Sequence, residues 1–300
     1  MVTLAAWVQG WIDRRSIRLA PSTVSGYRGS LRKYITPSDV GSMSIDELTP
    51  ADLIMLLSPV LATGHTRAAQ LVQVLTGAAL RDAVRQHIIP WSPMDCVDRI
   101  PHHKQHTGWL TSEQACTLID GTQGMKYHIA WLLALCCGLR RGELLGLMWT
   151  DIDLDNKVLH VRRQRVRVDG RILETPPKTE SSIRDIPLAD DVAVRIRAHR
   201  HDGKYVVGGT DRTMAKQLQR DLQRCGLPRV TIHGLRHTMA ATAASEGVPI
   251  KVLQGIMGHA QYSTTADIYA HVDRAATVQA AKIVAIATLQ RSRGARLEIV

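Results

Sequence analysis

The sequence is poor in aromatic residues and in long apolar runs. Its 300 residues include no phenylalanine, six tyrosines and six tryptophans. The longest apolar run, residues 129–137, is too short to cross a bilayer. The N-terminus lacks a basic region ahead of its apolar residues and carries Asp13 early, which argues against a signal peptide. With 45% hydrophobic residues, the chain is predicted to be globular rather than disordered. Its cysteine usage, described next, predicts a cytoplasmic protein.

Cysteine pairs and several common catalytic motifs are also missing. The five cysteines are odd in number and show no CxxC spacing, which predicts reduced thiols rather than a disulfide framework. The absence of a GxxxxGK[ST] loop argues against ATP hydrolysis, and neither a GxSxG elbow nor an HExxH helix is present. The one dense acidic run, residues 151–155, is better interpreted as a turn entering a hairpin than as a two-metal site.

The net charge of +11 is unevenly distributed along the chain. Residues 1–100 carry a net +2, whereas residues 101–300 carry +9. This excess favours a polyanionic partner, and nucleic acid is preferred to a membrane because no basic amphipathic helix stands out. Charge alone also allows a soluble basic protein without such a partner.

Helical patterns account for the first hundred residues. We predict about four helices, with apolar residues at helical spacing and no competing strand pattern. They are residues 4–13, a helix capped by Ser22 or Thr23, a helix capped by Thr49 with Pro50 at its first position, and residues 65–89 closed by Pro90.

Residues 99–108 break all periodicity and are predicted to be an interdomain linker. His102, His103 and His106 within it could suggest a metal site. A solvated basic linker is the better interpretation, because no cysteine or acidic ligand accompanies them.

The remainder predicts a mainly α second domain with a small antiparallel β-sheet, so the fold class is α+β. Thr111 or Ser112 caps its first helix, and a buried helix then stops at Gly138. A short helix is expected to end near Trp149. About three strands follow up to Ile186, with a hairpin turn at Asp169–Gly170, and the chain is helical from Asp190.

An unusual set of polar residues recurs through this second domain: Arg140, Lys178, His233, Arg236, His259 and Tyr269. Such a set suits phosphoryl transfer without a metal. Arginines can neutralise the non-bridging oxygens, a lysine can protonate a leaving alkoxide, and a tyrosine can be the nucleophile. Taken singly, each residue has a commoner structural explanation, such as a helix cap, a surface ion pair or a core tyrosine.

Four stretches in order resemble the tyrosine recombinase (phage integrase) family: GLRRGELLGLMWTDID, PPKTESSIRDIPL, HGLRHTMAA and LQGIMGHAQYSTTADIYAH. The resemblance implies a helical core-type DNA-binding domain over residues 1–98, the linker 99–108, and a catalytic domain over 109–300. That domain would end in an exchange tail from about residue 275.

The same resemblance implies a role for each matching residue. Arg140 and Arg236 would be the catalytic arginines, His233 would complete the HxxR pair, and Glu143 would support the site. Lys178 would be the general acid, His259 the second histidine and Tyr269 the nucleophile, whereas Tyr262 would not react.

The expected activity is site-specific cutting and rejoining of DNA through a 3′-phosphotyrosine and a Holliday junction, without metal, ATP or another cofactor. The expected partners are attachment-site DNA, a homotetramer on paired sites formed from free monomers, and a directionality or host accessory protein. A short phage or mobile-element integrase without an arm-binding domain is favoured. A housekeeping dimer-resolving recombinase and a type IB topoisomerase-like enzyme remain alternatives. So do an inactive DNA-binding regulator on the same fold and a metal-dependent hydrolase.

The C-terminal sequence after Tyr269 contains a largely apolar helical pattern over residues 280–289, with Lys282 as its one charge. An exposed helix of this kind would be poorly soluble. It either docks on its own domain or enters a groove on a neighbouring protomer, and the resemblance favours the second arrangement.

Overall fold

A computed structural model of the chain describes residues 2–101, 108–177 and 179–258. The described residues group into two compact units, the first drawn from 1–105 and 167–171 and the second from 106–166 and 172–300. Most of the predicted linker, including its three histidines, lies outside the described residues, so the exact domain boundaries stay predictions.

The first unit is built from helices around one apolar core. Their bounds are α1 (Leu4–Arg15), α2 (Pro21–Ser30), α3 (Asp39–Ser42), α4 (Pro50–Ala62) and α5 (Thr66–Arg85). A π-helical stretch, Leu31–Ile35, continues α2. The four long helices confirm the sequence prediction, whereas the single turn of α3 had no predicted counterpart.

A capping box marks the start of α4. The Asp52 carboxylate accepts a hydrogen bond from the Thr49 N–H at 2.9 Å, and Thr49 Oγ1 accepts one from the Asp52 N–H at 3.4 Å. This capping box confirms the predicted start of α4. The predicted cap of α2 is wrong, because Ala20 occupies that position and Pro21 begins the helix, where its missing N–H costs nothing.

The end of α5 also differs from the prediction. The helix stops at Arg85 rather than just before Pro90. His87 adopts a left-handed backbone with φ +56°, and the Ile88 N–H donates to the Ala83 carbonyl at 3.0 Å. This reversal satisfies the terminal carbonyls before the proline is reached.

The second unit combines seven described helices with five described strands, except that residues 167–171, at the tip of one hairpin, group with the first unit. The helices are α6 (Ser112–Gly121), α7 (His128–Cys136), α8 (Arg141–Gly146), α9 (Asp190–Ala198), α10 (Asp211–Arg224), α11 (Ile232–Ser245) and α12 (Ile250–Met257). The strands are β1 (Ile152–Asp153), β2 (Val158–Val161), β3 (Gln164–Val168), β4 (Arg171–Thr175) and β5 (Arg184–Pro187). Thr111 caps α6, as predicted.

The strands form two sheets rather than the single small sheet predicted. One has the order β1-β2-β5, and its neighbouring strands are antiparallel; the other is the β3–β4 hairpin. Asp169 and Gly170 both have positive φ (47° and 80°), which confirms the predicted tight turn between β3 and β4. In the first sheet β5 lies beside β2, with Val161 opposite Arg184. This non-local pairing brings Arg184 into the second unit's interior.

Helix α8 is shorter than predicted because the chain after it pairs with a distant segment. The helix ends at Gly146, and the Leu147 carbonyl then accepts a hydrogen bond from the Val206 N–H at 2.9 Å. Trp149, the predicted end, belongs instead to a separate 3₁₀ turn. Tertiary pairing therefore overrides the local helical pattern.

The acidic run 151–155 is only partly the predicted turn: Asp151 ends a 3₁₀ turn, Ile152–Asp153 is β1, and the turn begins at residue 154. Asp153 Oδ1 accepts hydrogen bonds from the backbone N–H groups of Asp155 at 3.1 Å and Asn156 at 2.8 Å, which closes the turn. Asp151 is buried and pairs with Arg163. That ion pair anchors the turn against the residue immediately before β3.

Helix α7 is the centre of the second unit's core and is buried on nearly all sides. Helix α11 packs against it, and Ala240 and Ala244 are among its buried residues. Trp131 in α7 is fully buried and donates its indole N–H to Asp221 in α10 at 2.9 Å. Among the described residues, no helix is both long enough and apolar enough to span a membrane.

Removing the Asp221 carboxylate should destabilise the second unit. Asp221→Ala leaves the buried Trp131 N–H without an acceptor, which costs about 1–3 kcal/mol, whereas Asp221→Asn retains an acceptor oxygen and should cost less. Urea unfolding followed by circular dichroism would measure both, with the exposed Asp202→Ala as control. Equal stability of Asp221→Ala and the parent chain would contradict this role.

Candidate active site

Arg140 stands at the start of α8, just after the chain leaves α7 through Gly138. Gly138 has φ +63°, a left-handed backbone that favours glycine at this turn. The Arg140 backbone N–H donates to Glu143 Oε2 at 2.9 Å, and its Nη1 donates to Glu143 Oε1 at 2.7 Å. One carboxylate therefore caps the helix and orients the guanidinium.

Glu143 is a buried carboxylate, with 3% of its surface exposed. Burial alone would raise its pKa, but the hydrogen bonds and charge of Arg184, followed by those of Arg140, outweigh burial and lower the pKa. Glu143 is therefore ionised at neutral pH. Its two oxygens hold Arg140 on one side and Arg184 on the other.

Arg184 was not predicted as a site residue. It lies on the inward-facing side of β5, in phase with the buried Ile186, and is itself buried. Its Nη1 and Nη2 donate to the two Glu143 oxygens at 3.2 and 3.0 Å. The strand alternation places Arg184 at a position where an apolar side chain is expected. A buried charge requires a partner, so this arginine is the sequence signal for a buried ion pair.

Arg236 is fully buried in α11. Its Nη1 donates to the Gly138 carbonyl and its Nη2 to the Met257 carbonyl, the latter at 2.5 Å, while its Nε has no hydrogen-bond partner among the described residues. Burial first, and then the positive charge of Arg140, lowers its pKa to about 9, so it remains charged at pH 7. The helix thus presents a guanidinium held at both ends by backbone carbonyls.

The three arginines converge on the C-terminal end of α12. Arg184 Nε donates to the Ile256 carbonyl at 2.6 Å, and Arg140 Nη2 donates to the Gly258 carbonyl at 2.5 Å. With the Arg236 contact, three successive carbonyls each receive one guanidinium. Cations at a helix C-terminus satisfy its free carbonyls and the negative end of its dipole.

Gly258 allows this close approach. It adopts a left-handed backbone with φ +60°, and an added Cβ would lie 3.0 Å from the Ser181 carbonyl oxygen and 3.2 Å from the Arg184 side chain. Any other residue here would be both strained and crowded.

His233 and His237 form a pair on α11, with ring centroids 4.4 Å apart and an edge-to-face angle of 81°. Desolvation first, then the nearby His237, Arg236 and Arg140, lowers the pKa of His233 to about 4. Desolvation and the charge of Arg236 also lower the pKa of His237. His233 is therefore neutral at pH 7 and keeps one ring nitrogen free of a proton.

The fold thus brings together four of the predicted site residues: Arg140, Glu143, His233 and Arg236. The remaining predicted residues, Lys178, His259 and Tyr269, lie outside the described residues. Ser182, like Arg184, was not predicted; its hydroxyl lies 3.3 Å from Arg140 Nη1. Within the described ranges, no group of three or more His, Cys, Asp or Glu side chains is placed to hold a metal ion.

Protonation of His233 should occur well below the usual range for histidine. Its pKa is lowered to about 4 in the folded chain, so its contribution to stability is present above about pH 6.5 and is lost as pH falls through about 4. An NMR titration of the ring protons, with His233→Gln to assign the signal, would measure it. His237→Gln should raise this pKa, and a midpoint near 6.5 in the parent chain would contradict the described environment.

Two protein-family models match this chain. Residues 108–276 match the model of the phage integrase family, and residues 4–95 match the phage integrase central domain. A XerC-like tyrosine recombinase of Caldanaerobacter subterraneus subsp. tengcongensis is 27% identical over 90% of this chain and 80% of its own. The integrase of Mycobacterium phage L5 is 27% identical over 86% of this chain and 72% of its own.

The fold also matches that of a solved structure. The Tn1549 transposon integrase, in complex with a circular intermediate DNA, superposes with a TM-score of 0.80 at 23% identity, covering 94% of this chain and 99% of that one. The family match extends over more than half of the chain and includes the arginine, glutamate and HxxR positions described above. The chain belongs to the phage integrase family and is a tyrosine recombinase.

Proposed function

We propose that this recombinase cuts and rejoins specific DNA sites through a covalent 3′-phosphotyrosine on Tyr269. The observation that carries the proposal is the convergence of Arg140 and Arg236 beside the buried Glu143. With Arg184, three guanidiniums face one carboxylate, so the cluster keeps an excess of positive charge. A phosphodiester that develops further negative charge during transfer is the ligand that such a cluster stabilises.

Arg140 is the arginine best placed to meet DNA. About a third of its side chain is exposed, whereas Arg236 is fully buried. A planar guanidinium can contact two oxygens of one phosphate, and its orientation here is fixed by Glu143. Arg236 would add its charge from within the core, at short range and with little screening.

In the proposed cleavage step, the Tyr269 oxygen attacks the scissile phosphorus. A bond forms between phosphorus and this oxygen as the bond to the 5′ oxygen breaks, and Lys178 gives that oxygen a proton. The proton lost by Tyr269 would pass to His233, whose ring is neutral at pH 7 and has a nitrogen free of a proton. In the rejoining step a 5′ hydroxyl of the partner duplex attacks the phosphotyrosine and restores the protonation states.

Because the phosphotyrosine linkage conserves the energy of the phosphodiester bond, the proposed reaction requires no ATP or cofactor. Strand exchange between two duplexes would pass through a Holliday junction, with His259 adding a further contact to the phosphate. Four protomers would assemble from monomers on paired sites, and residues from about 275 onward would join neighbours. A directionality or host accessory protein would bias the reaction.

The proposed biological role is integration and excision of a phage or mobile element in the bacterial cytoplasm. The family model and the L5 relative support it, whereas the XerC-like relative keeps a housekeeping recombinase as the second candidate. Residues 1–98 and 109–300 would both contact the DNA, and the linker 99–108 would join them. A topoisomerase-like enzyme would relax supercoiled plasmid without exchanging strands, which separates that alternative.

Tyr269→Phe should abolish covalent attachment to DNA without weakening binding, because only the nucleophilic hydroxyl is removed. A substrate can be selected from a random-sequence duplex pool by its binding to the protein and then nicked to trap the adduct. Denaturing electrophoresis in EDTA would show the adduct for the parent chain and for the control Tyr262→Phe. An adduct that persists in Tyr269→Phe would refute the assignment.

Arg140→Ala and Arg236→Ala should each slow cleavage by orders of magnitude, since loss of one charge stabiliser costs about 3 kcal/mol in the barrier. Arg140→Lys should recover little, because a lysine cannot reproduce the fork that faces Glu143 and the phosphate. Single-turnover rates on the trapped substrate would measure these effects. Cleavage by Arg140→Lys at the parent rate would show that charge alone is sufficient.

A further inference from the structure

We propose that Arg184 is a positioning residue of the recombination site. It ties Glu143, and through Glu143 the catalytic Arg140, to the C-terminal end of α12. This inference rests on the proposed function, because the catalytic role of Arg140 is assigned there. Arg184 acts through its neighbours, and no contact between Arg184 and the DNA is part of the proposal.

Arg184 donates hydrogen bonds from all three of its guanidinium nitrogens. Two of its nitrogens face the two oxygens of Glu143 at 3.2 and 3.0 Å. Its Nε reaches the Ile256 carbonyl at 2.6 Å, and its Nη1 also reaches the Ser182 carbonyl at 3.0 Å. Four hydrogen bonds from one side chain therefore join β5, α8, α12 and the 3₁₀ turn before β5.

These contacts form a closed ring of side chains and α12 backbone carbonyls. Arg140 binds Glu143, Glu143 binds Arg184, and Arg184 binds the Ile256 carbonyl of α12. Arg140 then binds the Gly258 carbonyl, two residues further along. Within a closed ring, displacement of one member shifts the others, so Arg184 helps to set the position of Arg140. In sequence, the end of α12 leads directly to His259.

Only a guanidinium group fits the position of the Arg184 side chain. Its planar fork matches a carboxylate at two points and leaves Nε free for a third direction. The Arg184 side chain is 6% exposed, so a lysine there would bury a compact charge that cannot reach all three partners at once. Arg184→Lys therefore keeps the positive charge but loses the hydrogen-bond geometry of the guanidinium.

The test separates positioning from folding. Single-turnover cleavage of the nicked, selected duplex gives a rate constant and a final amplitude, and fluorescence anisotropy gives DNA affinity. Arg184→Lys is compared with Arg197→Lys, a matched change at an arginine that is 65% exposed and pairs with Asp155 on the surface. Glu143→Asp, which keeps the buried charge but withdraws it from the Arg184 fork, is the second variant should Arg184→Lys fail to fold.

We expect Arg184→Lys and Glu143→Asp to lower the cleavage rate constant by about 10- to 100-fold with DNA affinity unchanged, because small displacements of catalytic groups have effects of this size. Arg197→Lys should cleave at the parent rate. A parent-like rate constant with a reduced amplitude would mean that Arg184 only stabilises the fold, and would overturn the proposal.

Hydrogen exchange provides a readout that does not depend on cleavage. Arg184→Lys should speed exchange of the amides in residues 253–258, while those of α7 stay as protected as in the parent chain. If exchange at α12 is unchanged in Arg184→Lys, the proposed link between Arg184 and α12 is wrong, even when the parent chain cleaves DNA. Faster exchange at α12 in a protein whose parent forms no adduct would instead refute the proposed function and leave the link in place.

Discussion

The buried carboxylate of Glu143 is the interaction on which the site depends. Burying a carboxylate and two guanidiniums costs several kcal/mol per ion, and this cost is offset only when the charges are paired and hydrogen-bonded in good geometry. Here Glu143 accepts from the Arg140 backbone, the Arg140 side chain and both terminal nitrogens of Arg184. A site with this many fixed partners is preorganised, so Arg140 need not be reoriented when a phosphate arrives.

The same arginines connect the site to α12. Ile256, Met257 and Gly258 offer three carbonyls that no further helical turn can satisfy, and each takes one guanidinium. This arrangement uses the free end of a helix as a structural ligand for a positively charged cluster. It also places the described end of α12 directly beside the groups that are proposed to act on DNA.

Some local features were predicted correctly from the sequence, although the start of α2 and the end of α5 were misplaced. The Thr49 cap and the Asp169–Gly170 turn each involve residues within one turn, so a short motif determines both. Sequence reasoning failed where distant pairing decides: α8 ends early because residue 147 pairs with residue 206. Arg184 was missed for the same reason, since Glu143 lies 41 residues away in sequence. The family resemblance supplied the order of the predicted catalytic residues but not this partner.

The most direct test of the account is the cleavage rate of Glu143→Gln on the nicked duplex, measured at a temperature where circular dichroism shows the variant to be folded. Glutamine keeps the shape of the side chain but removes the charge that orients Arg140. The account predicts unchanged DNA affinity and a single-turnover rate lower by about tenfold or more, equivalent to about 1.4 kcal/mol in the barrier. Cleavage by the folded variant at the parent rate would contradict the claim that this carboxylate organises the site.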